Sequence, residues 1–250
     1  MAHALQDKVA IVTGASKGIG AGIAIALADA GASVVVNYSS DKEGADHVVA
    51  KIGDADGKAV AIRADVSVGS DIAALFAETQ SRFGKLDILV NCAGIFSFGP
   101  LESMTEDQVR RMMDVNLVGP IMTCREALKY FPAEGGCIIN VGSMSGEAYS
   151  PGACAYAASK KGLSAVTGVL ALEMGSRNIR VNQINPGAVD TEGARMIGAM
   201  SEENQAAYSA RTPLGRVGTP ADVAAVAVFL ASDAAGWLTG ENLAVSGGLR

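Results

Sequence analysis

Short apolar runs rich in Val, Ile and Leu alternate with helix-forming segments along the whole chain, and this alternation constrains the fold most. Strands that are apolar throughout and joined by helices indicate a parallel sheet covered by helices on both faces. Seven such runs are predicted to be strands: residues 9–13, 33–37, 59–63, 86–90, 137–141, 179–184 and 242–245. The sequence therefore predicts an α/β protein with a doubly wound parallel sheet of about seven strands.

The segments between these strands predict the helices. Apolar residues at helical spacing predict a first helix that ends near residue 30. They predict five further helices over residues 41–52, 71–83, 105–130, 156–176 and 221–230. A bend is expected at Pro120 in the helix 105–130, because proline interrupts helical hydrogen bonding. No repeat or linker interrupts the pattern, so a single domain is expected over residues 1–250. Residues 190–219 show no clear element and are interpreted as a substrate loop.

Charge and hydropathy exclude several classes of partner. The formal net charge is -6 and no basic run exceeds two residues, which argues against a nucleic-acid partner. The longest apolar stretch, residues 223–231, is too short to span a bilayer. The first residues lack the charged and apolar regions of a signal peptide. A cytoplasmic protein without a membrane partner is expected.

Cysteine and histidine positions carry no metal or disulfide pattern. Cys92, Cys124, Cys137 and Cys154 lie in apolar segments without C-x-x-C spacing, and are expected to be reduced core residues. The two histidines, at positions 3 and 47, have no partner at metal-ligand spacing. No metal site is expected.

A glycine-rich turn follows the first predicted strand and opens the first helix. Its spacing is G-x-x-x-G-x-G, and it contains Gly14, Ser16, Lys17, Gly18, Ile19 and Gly20. Glycines permit a tight turn and a close approach to a pyrophosphate, while the helix N-terminus supplies free N–H groups. No Gly-Lys-Ser/Thr follows, which excludes a Walker-type phosphate loop. On the first βα unit of such a chain, the turn predicts a dinucleotide site of the Rossmann type.

The end of the second strand bears on cofactor choice. Many NAD sites place an acidic residue there to bind the ribose 2′-hydroxyl. This chain has Asn37, Tyr38 and Ser39, and its first carboxylate, Asp41, is interpreted as a helix cap. An uncharged pocket near Lys17 tolerates a 2′-phosphate better, although no Arg stands at this strand end. NADP(H) is therefore predicted as the preferred cofactor, with NAD(H) possible.

Tyr156 and Lys160 are four residues apart in a helix-forming run, and Ser143 lies upstream at the end of the fifth strand. Residues at this spacing share one helix face. The lysine ammonium is expected to lower the pKa of the phenol, which would make Tyr156 a general acid/base near neutral pH. An isolated Tyr–Lys pair could equally be a surface stacking pair, so the other motifs decide between these interpretations.

Together these residues resemble the short-chain dehydrogenase/reductase family over essentially the whole chain. Four further motifs carry the resemblance in the family's order: Asp65-Val66, the Asn91-to-Gly94 run, Asn116, and Pro186-Gly187. Cys92 departs from the commoner Asn-Asn-Ala-Gly form of the second motif. The resemblance implies an NAD(P)-dependent oxidoreductase assembled as a homotetramer through helices 105–130 and 156–176.

The resemblance also implies a role for each motif. Tyr156 would donate a proton to the substrate oxygen, Ser143 would polarise that oxygen, and Lys160 would hold the nicotinamide ribose. Asn116 would support a water that links Lys160 to solvent. The remaining residues would contact the adenine, its ribose or the nicotinamide: Asp65, Val66, Asn91, Ala93, Gly94, Pro186, Gly187, Val189 and Thr191. Thr191 would bind the carboxamide.

The substrate pocket is predicted to be mainly apolar. Its candidates follow Gly94 or Ser143 or lie in the 190–219 segment: Ile95, Phe96, Met144, Ser145, Tyr149, Met196, Ile197 and Met200. An apolar pocket favours a ketone or 3-oxoacyl-type carbonyl as the small-molecule substrate, and the pattern is closest to β-ketoacyl reductases and general carbonyl reductases. Oxidation of a sugar or polyol, as in glucose-dehydrogenase-like members, remains an alternative, as does a non-catalytic dinucleotide-binding sensor.

Overall fold

A single seven-stranded parallel sheet forms the centre of the molecule in the computed structural model, which describes residues 4–249. His3 lies outside the described residues. The strands are β1 Val9–Val12, β2 Ser33–Tyr38, β3 Lys58–Arg63, β4 Ile88–Asn91, β5 Gly136–Val141, β6 Ile179–Pro186 and β7 Asn242–Val245. Their order is β3-β2-β1-β4-β5-β6-β7, and every neighbouring pair is parallel. The predicted α/β fold and the seven strands are confirmed.

Nine α-helices connect or follow the strands. They are α1 Gly18–Asp29, α2 Lys42–Asp54, α3 Gly69–Phe83, α4 Glu106–Met113, α5 Gly119–Ala127, α6 Cys154–Met174, α7 Glu192–Met196, α8 Glu202–Arg211 and α9 Pro220–Ala231, counted over residues 4–249. Helices α1, α2 and α9 cover one face of the sheet and α3, α5 and α6 cover the other.

Alternation along each strand divides the core into two layers. In β1, Ala10 and Val12 pack on the α1 side, while Ile11 packs on the α3 side. Both faces are buried, because consecutive side chains of a strand point to opposite faces and helices cover each face. The sequence of each such strand is therefore apolar at successive positions, whereas a strand with one solvent-exposed face alternates apolar and polar residues.

The strand order reverses direction between β1 and β4, which is the topological switch point. β1 leads outward to β2 and β3 on one side, and β4 leads to β5, β6 and β7 on the other. Loops leaving the carboxyl ends of β1 and β4 diverge there and leave a crevice, where open α/β sheets bind ligands. The fold thus brings the glycine turn after β1 beside the Asn91-to-Gly94 run after β4.

The prediction that residues 190–219 lack secondary structure is wrong, because α7 and α8 lie within them. Each helix has a side-chain cap: the hydroxyl of Thr191 accepts from the Ala194 N–H, and that of Ser201 accepts from the Asn204 N–H. Neither helix has a fully buried residue. The apolar periodicity that reveals a core-facing helix is therefore absent from their sequences.

The predicted helix 105–130 is divided by a π-helical turn, Asp114–Val118, between α4 and α5. The irregularity lies ahead of the expected bend at Pro120, the second residue of α5, and the backbone stays helical through Val118 and Gly119. The π turn carries Asn116, and its position in a widened turn is typical of functional sites.

Three of the four cysteines are shielded as predicted, but the prediction that Cys154 is a core residue is wrong. Cys154 is exposed at the first position of α6, and all four thiols are free. Burial raises the pKa of Cys92 and Cys137 to about 11 and that of Cys124 to about 12. Across residues 4–249, no helix has the length and apolarity to cross a membrane, and no cluster of three or more potential metal ligands is present.

Candidate active site

Two adjoining cavities occupy the crevice at the carboxyl edge of the sheet. The larger, of about 460 Å³, is the cofactor cavity and extends from the end of β2 to Tyr156. The smaller, of about 270 Å³, is the substrate cavity and lies between Tyr156 and helices α7 and α8. Tyr156 and Thr191 line both cavities. A hydride donor in the first cavity and a carbonyl in the second would therefore meet at the Tyr156 phenol.

The glycine turn forms the floor of the cofactor cavity. Gly14 and Gly18 adopt φ values of +62° and +59°, a left-handed backbone that favours glycine. A Cβ on Gly20 would overlap the Gly14 carbonyl oxygen, so the turn closes only without one. Lys17 precedes α1 without a side-chain cap, so the first N–H groups of α1 remain available to an anion.

A carboxylate already uses one of these N–H groups. Oε2 of Glu192, the first residue of α7, accepts from the Gly18 N–H at 3.0 Å. The helix N-terminus therefore accommodates a negatively charged oxygen, which is the chemistry that a cofactor phosphate presents. This contact joins residues 174 positions apart, and no local pattern predicts it.

At the end of β2, Asp41 is a helix cap as expected, but an arginine is present where none was expected. Asp41 caps α2 by accepting from the Gly44 N–H at 3.0 Å, and its other oxygen pairs with Lys17 Nζ at 2.9 Å. The Lys17 ammonium, followed by the Gly44 N–H, lowers the pKa of Asp41. An arginine does stand at this edge: Arg63, the last residue of β3, donates from Nε to the Ser39 carbonyl at 3.2 Å.

Asn37 supports the turn instead of facing only the cavity. Its Oδ1 accepts from the Gly14 N–H at 3.3 Å, and its Nδ2 donates to the Ile62 and Ala64 carbonyls at 3.2 and 3.1 Å. Asn37 thus ties the glycine turn to the strand ends behind it. Tyr38 and Ser39 line the cavity beside it.

Asp65 is held at the predicted adenine end by an arginine that the sequence reasoning missed. Arg111 of α4 donates to Asp65 Oδ2 at 2.8 Å and also contacts the Ser67 hydroxyl. Burial alone would raise the pKa of Asp65, but the bonds from Ser67 and Arg111 outweigh it and lower the pKa to about 2. Arg111 also lines the cofactor cavity, where the guanidinium can face an adenine ring.

Tyr156 and Lys160 lie one turn apart near the start of α6, and Ser143 stands at the end of β5. Lys160 Nζ is 5.9 Å from the Tyr156 ring centroid and donates to the Val141 carbonyl at 2.8 Å. The Ser143 hydroxyl accepts from the Ser145 N–H at 3.1 Å. The structure therefore brings the three predicted residues together at the junction of the cavities.

The expected lowering of the Tyr156 pKa by Lys160 is wrong for this structure. Burial raises the pKa of Tyr156, and the Ser143 hydroxyl offsets this only in part. Burial also lowers the pKa of Lys160 to about 8. Desolvation penalises both charged forms, and the ammonium is bonded to a backbone carbonyl instead of the phenol. Tyr156 consequently keeps its proton at neutral pH.

Asn116 is fully buried beside Lys160 and has three partners. Its Oδ1 accepts from the Ile95 N–H at 2.9 Å, and its Nδ2 donates to the Ile95 carbonyl at 2.8 Å and to Ser159 Oγ at 3.2 Å. A Cβ added to Gly94 would lie 3.4 Å from both Asn116 Oδ1 and Lys160 Nζ, so the two side chains flank one small space. The proton relay through Asn116 stays a prediction.

The Asn91 side chain is bonded within the core, which leaves its predicted contact with the cofactor without support from the geometry. Its buried amide donates to Asn140 Oδ1 at 2.9 Å, and its Oδ1 accepts from the Thr123 hydroxyl at 2.6 Å. It lines neither cavity. β4 directs this side chain into the core on the α5 side, while the following residues turn toward the crevice. Ala93 and Gly94 line the cofactor cavity.

The other predicted cofactor residues are divided between the cavities. The glycine-turn residues Gly14, Ser16, Lys17, Gly18, Ile19 and Gly20 line the cofactor cavity, as do Asp65 and Val66. Pro186, Gly187 and Val189 line the substrate cavity. Thr191 reaches both, but its hydroxyl caps α7, so a bond to a carboxamide would compete with that cap.

The substrate cavity contains five of the eight predicted lining residues: Phe96, Met144, Ser145, Ile197 and Met200. Ile95 lines the cofactor cavity instead, whereas Tyr149 and Met196 are mostly exposed and line neither. Six lining residues were not predicted from the sequence: Phe98, Ala148, Ser150, Tyr208, Arg211 and Leu249. Tyr208 and Arg211 belong to α8, whose N-terminal Ser201-Glu202-Glu203-Asn204 run was the available sign of a helix.

Aromatic rings surround the candidate catalytic phenol. The Phe96 and Phe98 rings stack with centroids 6.0 Å apart, and each meets the Tyr156 ring edge-on, at 6.3 and 5.5 Å. Edge-on contacts place the positive ring edge against a negative face and hold both rings in position. A flat apolar surface therefore borders the place where a carbonyl would sit.

Comparison with known proteins agrees with this geometry. The family model described as enoyl-(acyl carrier protein) reductase matches residues 14–250. An uncharacterized oxidoreductase of Methylorubrum extorquens is 49% identical over 246 residues, covering 98% of this chain and 99% of its own. A 3β-hydroxysteroid dehydrogenase of Eggerthella lenta is 43% identical over 250 residues, covering 98% and 94%.

Solved structures share the fold over the whole chain. A short-chain dehydrogenase/reductase of Serratia marcescens has a TM-score of 0.92 at 36% identity, covering 99% of each chain. The angucycline C-6 ketoreductase LanV, solved with bound NADP, has a TM-score of 0.93 at 36% identity, covering 100% of this chain and 98% of its own. With the parallel sheet, the glycine turn and the Ser143–Tyr156–Lys160 set, these matches show that the chain is an oxidoreductase of the short-chain dehydrogenase/reductase family.

Proposed function

We propose that this protein is an NADPH-dependent reductase that converts a ketone on a flat ring system into a secondary alcohol. One observation carries the proposal: the Tyr156 phenol lies where the two cavities meet, with Ser143 and Lys160 beside it. Burial raises the pKa of this phenol, so the hydroxyl is protonated at neutral pH. A general acid must carry its proton before the reaction begins.

The side chains divide the reaction between them. Bound NADPH would supply the hydride to the carbonyl carbon. Tyr156 donates its hydroxyl proton to the oxygen on which negative charge develops, and Ser143 donates a hydrogen bond to the same oxygen. Lys160 holds a positive charge 5.9 Å from the ring and would stabilise the phenolate that remains. The family resemblance adds a contact from Lys160 to the nicotinamide ribose.

Charges at the end of β2 support NADPH over NADH. The one carboxylate there, Asp41, is already bonded to Lys17 and to the Gly44 N–H, so it is poorly placed to bind a ribose hydroxyl. Arg63, which donates to the Ser39 carbonyl, adds a cation at this edge that has no carboxylate partner among the described residues, and such a cation favours a 2′-phosphate. LanV, a relative of the same fold, binds NADP.

The substrate class follows from the aromatic surface beside Tyr156. Phe96 and Phe98 line the substrate cavity, where aromatic rings favour packing against a flat apolar substrate. Two relatives are named for fused-ring compounds, a steroid in one case and an angucycline in the other. A sugar would need a cavity dominated by hydrogen-bonding groups, and this surface favours the ketone instead.

The test is a substrate panel with a nonreactive variant as its control. A tetralone, a β-ketoester and glucose are each offered with NADPH or NADH, or with the oxidised forms for glucose, and nicotinamide absorbance is followed. We expect fastest turnover with the tetralone and NADPH. Tyr156→Phe should lose at least about a hundredfold in kcat while still binding NADPH. Turnover of no ketone by a protein that binds NADPH would contradict the proposal.

A further inference from the structure

The substrate cavity is lined by a single charged side chain, Arg211. The other described residues that line it contribute apolar side chains, hydroxyl groups and backbone, and none of them is Asp, Glu or Lys. Arg211 is the last residue of α8, and Tyr208 lies three positions earlier on the same helix face. The cavity therefore carries one positive charge that nothing in its lining neutralises.

Arg211 differs from the other arginines of the 190–219 segment. Arg195 donates from Nε and Nη2 to Asp190 at 2.7 and 2.6 Å. Arg216 donates from Nη1 and Nη2 to Asp222 at 2.8 and 2.7 Å. Within residues 4–249, Arg211 has neither an ion pair nor a side-chain hydrogen bond. Arg211, an exposed residue that lines the cavity, is thus the arginine of this segment left without a carboxylate among the described residues.

Tyr208 adds a second donor at the same place. Its hydroxyl makes no hydrogen bond with the described residues, and its half-buried ring lines the cavity. A guanidinium beside a phenol is a good match for a carboxylate, since the guanidinium offers a planar pair of N–H donors and the phenol offers one more. An apolar substrate without such a group would leave these donors unused.

We infer that Arg211, assisted by Tyr208, binds a carboxylate on the substrate and that the preferred substrate is a flat ketone carrying an acidic group away from its carbonyl. This inference rests on the proposed ketone reduction and names its substrate more closely. The ketone oxygen would lie at Ser143 and Tyr156, and the carboxylate would lie at α8. Arg211 is then a specificity-determining residue that does not touch the reacting atoms.

The experiment compares a neutral tetralone with tetralone carboxylic acids that bear the acid at different ring positions. For the best isomer, kcat/KM should exceed that of the neutral ketone by about tenfold, through a lower KM, as expected for a charge-assisted bond in a partly solvated site. Arg211→Met, which keeps an apolar side chain, should reduce this ratio to about one. Arg195→Met, on the same segment but outside the cavity, should preserve the ratio.

A binding measurement removes the dependence on turnover. Calorimetry with 2-naphthoate and the NADPH complex should show binding that Arg211→Met weakens by about tenfold and that added salt weakens in the wild type. A ratio of one in the wild type, or an unchanged ratio in Arg211→Met, overturns the inference while leaving ketone reduction intact. Failure of every ketone together with intact naphthoate binding would overturn the proposed reaction but not the carboxylate site.

Discussion

Tyr156 and Lys160 share one helix turn, yet burial acts on them in opposite directions. It raises the pKa of the phenol and lowers that of the ammonium to about 8, because each charged form loses hydration. The phenol is thereby kept as a proton donor, and the lysine is kept near the point at which it can release a proton. A buried ammonium of this kind reduces the free energy of unfolding, because its charge has lost hydration.

Replacing the buried cation should stabilise the protein. Lys160 is 5% exposed, and its Nζ has one partner, the Val141 carbonyl. Without cofactor at pH 7, Lys160→Met should raise the free energy of unfolding by about 2 kcal/mol, because the cost of burying the charge exceeds the value of one hydrogen bond. Chemical denaturation measures the difference.

The same comparison has a defined pH dependence. Between pH 8 and about 10.5 the unfolded chain holds the lysine proton more tightly than the folded chain, so wild-type stability rises relative to Lys160→Met. The gap should close across that window. Lys161→Met, at an exposed lysine paired with Glu147, is the control and should show no such gain. A less stable Lys160→Met at pH 7 would refute this account.

Glu192 occupies the Gly18 N–H that is predicted to bind a cofactor phosphate. Its carboxylate lies 3.0 Å from that nitrogen, where a like charge opposes a pyrophosphate. Glu192→Gln keeps an acceptor but removes the charge, so NADPH should bind about threefold to tenfold more tightly at low salt and less so at high salt. Fluorescence titration reports the Kd. Glu203→Gln, on the exposed part of α8, should change nothing, and weaker NADPH binding by Glu192→Gln would disprove the prediction.

At the scale of elements, the π turn Asp114–Val118 connects the loop after β4 to helix α6. Through Asn116 it holds both polar groups of the Ile95 backbone after β4 and contacts Ser159 of α6. A regular helix would direct this residue elsewhere, because one extra residue per turn rotates the side chains that follow it. The irregularity therefore positions the loop that carries Gly94, whose Cα faces Lys160.

Removing the Asn116 amide should loosen this junction. Asn116→Ala leaves the Ile95 N–H and carbonyl without partners, which should lower the free energy of unfolding by about 2–3 kcal/mol and reduce kcat. Thermal unfolding and steady-state rates measure the two effects. Lys51→Ala on the exposed side of α2 serves as the control, with a change within about 0.5 kcal/mol. Unaltered stability of Asn116→Ala would show that the Asn116 amide does not stabilise the contact between the π turn and the Ile95 loop.

At the scale of the whole molecule, α6 presents an apolar surface to solvent. Leu172 is 87% exposed and Val169, three positions earlier on the same face, is 53% exposed; Val118 of the π turn is 42% exposed. Exposed aliphatic side chains grouped on one face are typical of an interface between subunits. We expect this surface to form a contact between subunits.

A charge on that surface should separate the subunits. Light scattering is expected to give a higher-order mass for the wild type and a lower one for Leu172→Glu, because an unpaired carboxylate would be buried at the contact. Val68→Glu places the same charge at an exposed aliphatic position before α3 and should leave the mass unchanged. A monomeric wild type, or an unchanged mass for Leu172→Glu, would contradict this assignment of the interface.

The order of elements and the candidate set of Ser143, Tyr156 and Lys160 were readable from local patterns. Apolar runs such as residues 9–12 and 34–36 are buried on both faces of the sheet. Their composition alone therefore predicts a parallel strand covered by helices on both faces. The glycine turn and the Tyr156–Lys160 spacing are likewise local. Helix α8 escaped detection because none of its residues is fully buried, so its sequence lacks the apolar period.

Packing between distant segments determined the rest of the site. Arg63 at Ser39, Glu192 at Gly18 and Arg211 in the substrate cavity come from segments far from the motifs they meet. The pKa of Tyr156 also rises because of burial, not because of its spacing from Lys160. Periodicity and turn chemistry act between residues a few positions apart, so sequence alone determines the framework and its principal residues. Desolvation and long-range charge contacts exist only once the chain has folded, so the tertiary structure alone sets the electrostatics and the specificity of the cavity.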